Sequence, residues 1–262
     1  MGAHQRIDRV AKRHLNKVLP RRAFFPKLSE VLRFEGRDGP DGIKRKSPAR
    51  DEPWHFIDPN DLNDTDLLDQ IDDHMVNLQR ALYQRDRTRA AFEAAWLAHA
   101  IVDGLTPAHH YPYEAKLESL RGGKGIETRT TIKQKIVLPG ETKRNLIKNN
   151  WEFWGAKGVM TTHGFFEFGV ASTIAILRLD SAAPNKNDLI RVKQLGIRPI
   201  FIENMHKVYE MGMYDAFHKK GWTPKLARQT RRELAPMIIQ TVTLAWYCAS
   251  LRAEKKRKGE KL

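Results

Sequence analysis

The chain is short of several things, and each shortage excludes something. It has one cysteine, Cys248, among 262 residues. No disulfide can close within the chain and no thiolate cluster can form, so any metal must be held by His, Asp and Glu. Uninterrupted apolar runs of about eighteen residues are missing, and these are what a bilayer demands. The most apolar stretch, MIIQTVTLAWYCASL, is broken by Gln240, Thr241 and Thr243. It reads as a buried core helix, so no transmembrane segment is expected. The opening MGAHQRIDRV has no apolar h-region, and Arg6 stands where a myristoylation signal needs Ser or Thr. That predicts a cytoplasmic protein, or a secreted one if a leader has been removed.

Acidic residues are the last shortage. There are 31 Asp and Glu against 46 Lys and Arg, a net charge of +15. The imbalance is local. Residues 1–50 hold fourteen basic and five acidic side chains, and residues 51–104 hold four and twelve. A basic surface draws polyanions such as single-stranded nucleic acid or an anionic membrane surface, and it also simply keeps a protein soluble. Hydrophobic residues make up 41% of the chain, enough for a folded core at this length.

What is present is mostly helical periodicity, and the expected fold class is all-α. Ile7, Val10, Ala11 and Val18 mark one face of a first helix that Pro20 ends, with His4 and His14 on that face. Leu67, Ile71, Met75, Leu78 and Leu82 stripe a second, and a third runs from about 87 to 103, with Gly104 suited to its cap. Further helices are expected over about 141–154, from Met160 through Ile174, over 199–219 and over 224–255. Residues 34–53 read as a long loop, and TTIKQKIVLPG as a short strand or an extended loop. One domain over 1–253 is expected, followed by a basic disordered tail over 254–262.

The polar residues in this pattern fall where the core should be. LAHAIVDGLTPAHH places His99 and Asp103 four apart, one helical turn, on a face otherwise apolar. His163 and Glu167 repeat the spacing on the Met160–Ile174 stripe. A His and a carboxylate so placed can reach one ion, although a surface i, i+4 pair is the commoner outcome. His206–Glu210 has the spacing but polar neighbours and reads as such a surface pair. His74, His110 and His218 read as histidines without a ligand role. A buried carboxylate is costly without a partner, so Asp103 implies one. His109 follows just past the helix end, His55 lies in PWHFIDPND, Asp41 in GPDG, and His4 near the amino terminus.

These elements together resemble the zinc-dependent phospholipase C and single-strand-specific nuclease family. WHFIDP, with Asp41 fourteen residues before His55, is similar to one family element. HAIVDGLTPAHH resembles its H-x-x-x-D-x-x-x-Pro-x-His element, HGFFEFGVASTI its H-x-x-x-(D/E) helix, and AHQRIDRVA its opening helix. The order agrees over about residues 4–175. The resemblance implies an all-α fold with two or three zinc ions in a cleft. Asp41, His55, His99 and Asp103 would hold one ion, and His109, His163 and Glu167 a second. His4, the bridging Asp103 and the terminal amine would hold a third. The family's terminal amine belongs to a Trp, whereas this chain offers Met1 or Gly2. The span from His109 to His163 is longer than the family pattern, which makes 111–160 an inserted lid or substrate loop.

The activity implied is metal-assisted phosphodiester hydrolysis, with Asp41 also orienting the attacking water. The leading substrate is single-stranded nucleic acid or nucleotides, on the basic N-terminal third and on Phe56, which follows His55 where the family's nucleases stack a base. Packing is the plainer role for Phe56. The alternative is phospholipase C action on non-choline phospholipids. Choline would need aromatics where this chain has Gly42 and Glu52, with Trp54 nearby. A second alternative is a zinc-stabilised nucleic-acid- or membrane-binding module, against which the absence of cysteine ligands argues.

Overall fold

The computed structural model describes residues 2–21, 23–36, 38–44, 46 and 55–259. Glu52 and Trp54 lie outside the described residues, as does Met1. The fold is all-α, 73% helical with no strand among the described residues. Helices α1 (Ala3–Val18), α4 (Asp66–Gln84), α5 (Arg87–Gly104) and α14 (Ala235–Arg257) form the main body, with α9 (Val159–Ile174) laid against α1.

The centre is α5, and its sequence explains why. Five alanines (90, 91, 94, 95, 98) are fully buried, so α4 and α14 approach its backbone closely. Trp246 on α14 fills the space they leave and donates its indole N–H to the Ala94 carbonyl at 2.9 Å. Asp86 caps the helix by accepting from the Arg89 N–H at 2.9 Å. Gly104, expected as a cap, does a different job: a Cβ there would stand 2.5 Å from the Phe201 ring. It is a close-approach glycine, and the cap residue is Leu105.

The stretch MIIQTVTLAWYCASL is the middle of a helix running without interruption from Pro224 to Arg257, long and apolar enough by length and composition to span a bilayer. Its apolar window is 78% buried against the other helices, which makes it the core helix expected. Pro236 sits inside it, where a proline removes one backbone N–H and crowds the preceding turn. The wide π turn at Thr230–Leu234 lies in that preceding turn and absorbs the misfit. The helix continues to Arg257, into the stretch expected to be a disordered tail from 254.

Residues 107–154 form a separate layer over one end of the body. A 3₁₀ turn (Pro107–His110) leads to α6 (Tyr113–Leu120), α7 (Ile132–Ile136) and α8 (Lys143–Trp154). The strand or extended loop expected at TTIKQKIVLPG is the one-turn helix α7, started by a capping box at Thr131 and Gln134. The loop expected over 34–53 contains the short helix α3 (Pro40–Lys44), preceded by α2 (Leu28–Arg33). The remaining helices are α10 (Lys186–Leu195), which apolar spacing did not reveal, α11 (Arg198–Glu210), α12 (Met213–Lys220) and α13 (Pro224–Gln229). The single helix expected over 199–219 is broken at Gly212, whose φ of 58° is left-handed.

Candidate metal centre

The residues singled out in the sequence converge. Helix α1 brings His4, α3 brings Asp41, α5 brings His99 and Asp103, the 3₁₀ turn brings His109, and α9 brings His163 and Glu167. His55 arrives on an extended segment that Ile57 pins to the turn by donating its N–H to the His109 carbonyl at 3.1 Å. Asp103 is the hub. Its Oδ1 lies 3.3 Å from His4 Nε2 and 3.4 Å from His109 Nε2, and its Oδ2 lies 2.5 Å from His55 Nδ1 and 3.2 Å from His99 Nε2. Glu167 Oε1 meets His109 Nε2 at 3.0 Å and His163 Nε2 at 3.1 Å.

Three sets of side chains each offer donor atoms within 4.8 Å of one another: His4, His99 and Asp103; Asp41, His55 and His99; His109, His163 and Glu167. The donors are imidazole nitrogens and carboxylate oxygens, the set that borderline cations such as zinc accept when thiolates are lacking. Ring orientation is fixed from behind. His109 donates its Nδ1–H to the His55 carbonyl at 2.6 Å, and His99 turns its Nδ1 to Glu35 at 2.9 Å. Each ring thereby aims Nε2 at the cluster, as ligand histidines are held by a second partner. His99 Nε2 is buried and, although Asp103 Oδ2 lies 3.2 Å away, makes no aligned hydrogen bond, a nitrogen that a cation would satisfy. The residues present fit a metal.

The electrostatics agree. Burial would raise the Asp103 carboxyl, but the imidazoles of His109, His99, His55 and His4 outweigh it and hold it well below the ordinary carboxylate range. Burial disfavours a charged His99, yet Asp103 and Glu35 raise it well above 6.5. Partial burial pushes Glu167 up, and His163 and His109 outweigh that and hold it low. Positive charge is thus wanted at these nitrogens, and a proton or a metal ion can supply it.

Two residues of the site carried no notice in the sequence. Glu35, buried between His4 and His99, lies in what read as a loop, and only the folded chain brings it there. Asp8 lies behind it, fully buried with neither oxygen hydrogen-bonded. Burial and the neighbouring Glu35 push its carboxyl well above the usual range, which favours the neutral acid. His4 and Asp8 are four apart on α1, so the spacing rule that picked out His99–Asp103 applied there too.

A cavity of about 510 Å³ opens above the cluster. Its floor includes Asp41, His55, Asp103, His109 and Glu167, and its roof is Arg129, Lys135, Ile132, Ile136 and Trp154. Phe56 does not face it as a free ring. Phe56 is 7% exposed and stacked on Tyr113 with centroids 4.4 Å apart and planes 3° from parallel. The base-stacking role expected for Phe56 therefore gives way to packing.

The histidines read as having no ligand role divide. His206 and His218 are exposed. His74 is half-buried and paired through Nδ1 with the fully buried Glu93 at 2.6 Å. His110 is buried and donates Nε2–H to the Gly104 carbonyl at 2.9 Å, and burial pushes its pKa down to about 4. It is a structural histidine that stays neutral.

No family model matches the chain, and no curated protein or solved structure matches it.

Proposed function

We propose that the chain is a zinc-dependent phosphodiester hydrolase. The observation that carries this reading is the convergence of five histidines and three carboxylates, drawn from separate parts of the chain, at the floor of one open cleft, with His99 just behind the lining. Purely structural zinc sites are usually closed and cysteine-rich, whereas this one faces a cavity of substrate size. The resemblance of its motifs to the phospholipase C and nuclease family supports the same reading.

Asp41, His55, His99 and Asp103 would hold one ion, His109, His163 and Glu167 a second, and His4 with the other oxygen of Asp103 a third. Bound there, the ions would neutralise the phosphoryl oxygens, acidify a water to make the nucleophile and stabilise the leaving oxygen. The chain's own groups do the rest. Asp41, exposed at the start of α3, can accept a hydrogen bond from the attacking water. Arg129, 4% exposed, and Lys135 place positive charge on the roof opposite, where an anionic phosphodiester would be received. The layer over 107–154 limits bulk water above the reacting group.

The two features that favoured nucleic acid are engaged elsewhere. Phe56 is packed against Tyr113, and part of the basic N-terminal segment is tied into the fold: Arg6 donates to the Ile174 and Leu177 carbonyls, and Arg13 reaches the Arg178 carbonyl and Asp180. A phospholipid gains from the exposed apolar side chains Ile132, Ile136 and Trp154 at the cleft mouth. The deciding experiment is hydrolysis of a small soluble diester, bis(p-nitrophenyl) phosphate, by zinc-loaded and chelated protein, run beside single-stranded RNA and phospholipid vesicles. Chelator-sensitive turnover of the diester is expected. A zinc-loaded protein that turns over none of the three would end this reading.

A further inference from the structure

Helix α8 faces the wrong way for a soluble surface helix. Its inner side sends Phe153 into the small core under the layer, with Leu138, Leu117 and Tyr113. At about 100° per residue, Ile147, Trp151 and Trp154 fall within an arc of about 60° whose centre lies about 130° round the helix from Phe153. That side is solvent-facing: Ile147 is 68% exposed, Trp151 69% and Trp154 44%. A soluble helix keeps such a face polar. Helix α7 continues the ridge. Trp154 donates its indole N–H to the Ile136 carbonyl at 2.7 Å, and Ile132 and Ile136 are 45% and 55% exposed. Ile132, Ile136 and Trp154 also line the cleft above the metal centre, so the ridge runs to its mouth.

The charges around the ridge are predominantly positive. On the helical wheel Lys143 lies to one side of the apolar arc and Arg144 and Lys148 to the other, all three exposed. Lys133 and Lys135 stand on α7, and the acidic residues from 130 to 154 are Glu141 and Glu152, the latter paired with Lys116 at 3.3 Å and with Lys148 at 3.8 Å. Two tryptophans and several isoleucines rimmed by lysine are the composition that lies in the headgroup boundary of an anionic bilayer. Protein partners of similar size prefer fewer lysines at the contact, and a nucleic-acid track stacks bases on aromatic rings without needing branched aliphatics.

We propose that the α7–α8 ridge docks this protein on anionic phospholipid bilayers, with the mouth of the cleft held at the membrane surface. The docking stands on the ridge alone. That the docked lipid is also the substrate rests on the hydrolase reading above. Both are kept apart by measuring binding in chelator, where no zinc chemistry proceeds, and hydrolysis separately on the soluble diester.

The test is co-sedimentation of the full chain with vesicles of phosphatidylcholine containing one third phosphatidylglycerol, beside vesicles of phosphatidylcholine alone and a single-stranded oligonucleotide. Binding to the anionic vesicles, with a blue shift of tryptophan emission, is expected, and little to the neutral ones. The double variant Ile147→Ser, Trp151→Ala is expected to weaken it on the order of tenfold or more, because both side chains insert. Lys143→Glu with Lys148→Glu is expected to weaken it by a similar factor and to remove its salt dependence. Ile147 and Trp151 are solvent-exposed, so helicity and turnover of the soluble diester should hold in the first variant. Equal binding to both vesicle types, vesicle binding unchanged in both variants, or binding of the oligonucleotide alone would overturn the proposal.

Discussion

The body and the layer over its cleft are held together in different ways. The body has a continuous apolar core that runs from Ile7 to Ala253 and includes Trp246, Phe201 and Leu97, all essentially without exposure. The small core under the layer has six buried hydrophobic residues, five from the layer and Phe56 from the segment beneath it. The layer makes up the difference with side chains that bond to backbone. Arg121 donates to the Lys124 and Gln134 carbonyls and to Thr128, Arg129 to the Lys135 carbonyl, and Asn149 to the Leu120 and Pro139 carbonyls. Asn150 spans the N–H and the C=O of Leu138. The rigid part carries most of the ligands, with His109 at the joint, and the hydrogen-bonded part carries the roof. A site needing fixed distances is built where packing is dense, and a surface that must meet substrate is built where local opening is cheap.

The largest effect should come from the hub that only the body provides. Asp103→Asn keeps the shape but removes the charge that four imidazoles share. Zinc content by elemental analysis should fall, and diester hydrolysis should drop by roughly a thousandfold or more, as removal of an electrostatic keystone does. Retained metal with near-normal turnover would move the chemistry away from Asp103. Removing zinc with a chelator should lower the unfolding free energy of the body through lost ligand binding, by about 4 kcal/mol where free zinc had stood a thousandfold above its Kd.

How much of this was legible follows from the range over which each signal acts. The body helices announced themselves because Leu67 to Leu82 and Met160 to Ile174 carry local periodicity. His99–Asp103 and His163–Glu167 were legible for the same reason, since one helical turn fixes their geometry. Glu35 was not, because its partners His4 and His99 are distant in sequence and only packing brings them together. Helix α7 was missed because Ile132–Ile136 is a single turn, too short for a period to show, and a capping box at Thr131 decided it. Phe56 is a different case: the sequence left base stacking and packing both open, because the ring that covers it, Tyr113, belongs to the layer whose fold the sequence did not display.

Core substitutions should separate the two regions. Trp246→Ala removes a fully buried indole and its hydrogen bond to Ala94, and should cost about 3–5 kcal/mol in global unfolding by denaturant. Leu138→Ala should leave that transition nearly in place and instead speed amide exchange across 111–154, because the small core can open by itself. Equal loss of protection in α5 would show that body and layer unfold as one.

His110 offers a pH signature at the joint between the regions. Its folded pKa of about 4 lies below its ordinary 6.5, so between those values the unfolded chain binds the extra proton. Its contribution is fully present above about pH 6.5 and is lost as pH falls through about 4, amounting to about 3 kcal/mol at most. His110→Gln can still donate to the Gly104 carbonyl and does not titrate. Measured in chelator, the stability of this variant should fall less steeply between pH 6.5 and 4 than that of the parent chain.

The smallest expected effect tests how the layer is held. Asn150 accepts from the Leu138 N–H through Oδ1 at 3.0 Å and donates from Nδ2 to the Leu138 carbonyl at 2.9 Å, taking the place a neighbouring strand would take. Asn150→Ala removes both bonds and should cost about 1–2 kcal/mol of local stability, read from exchange at Leu138. Asn150→Asp keeps the acceptor and sets a carboxylate against the carbonyl, so the N–H bond survives and the other becomes repulsive. If exchange at Leu138 rises in the order parent, Asp, Ala, the accepting bond holds residue 138 in place. If Asp is worse than Ala, the donated bond and its surrounding carbonyls dominate, and side-chain donors to backbone are what replace an apolar core in this layer.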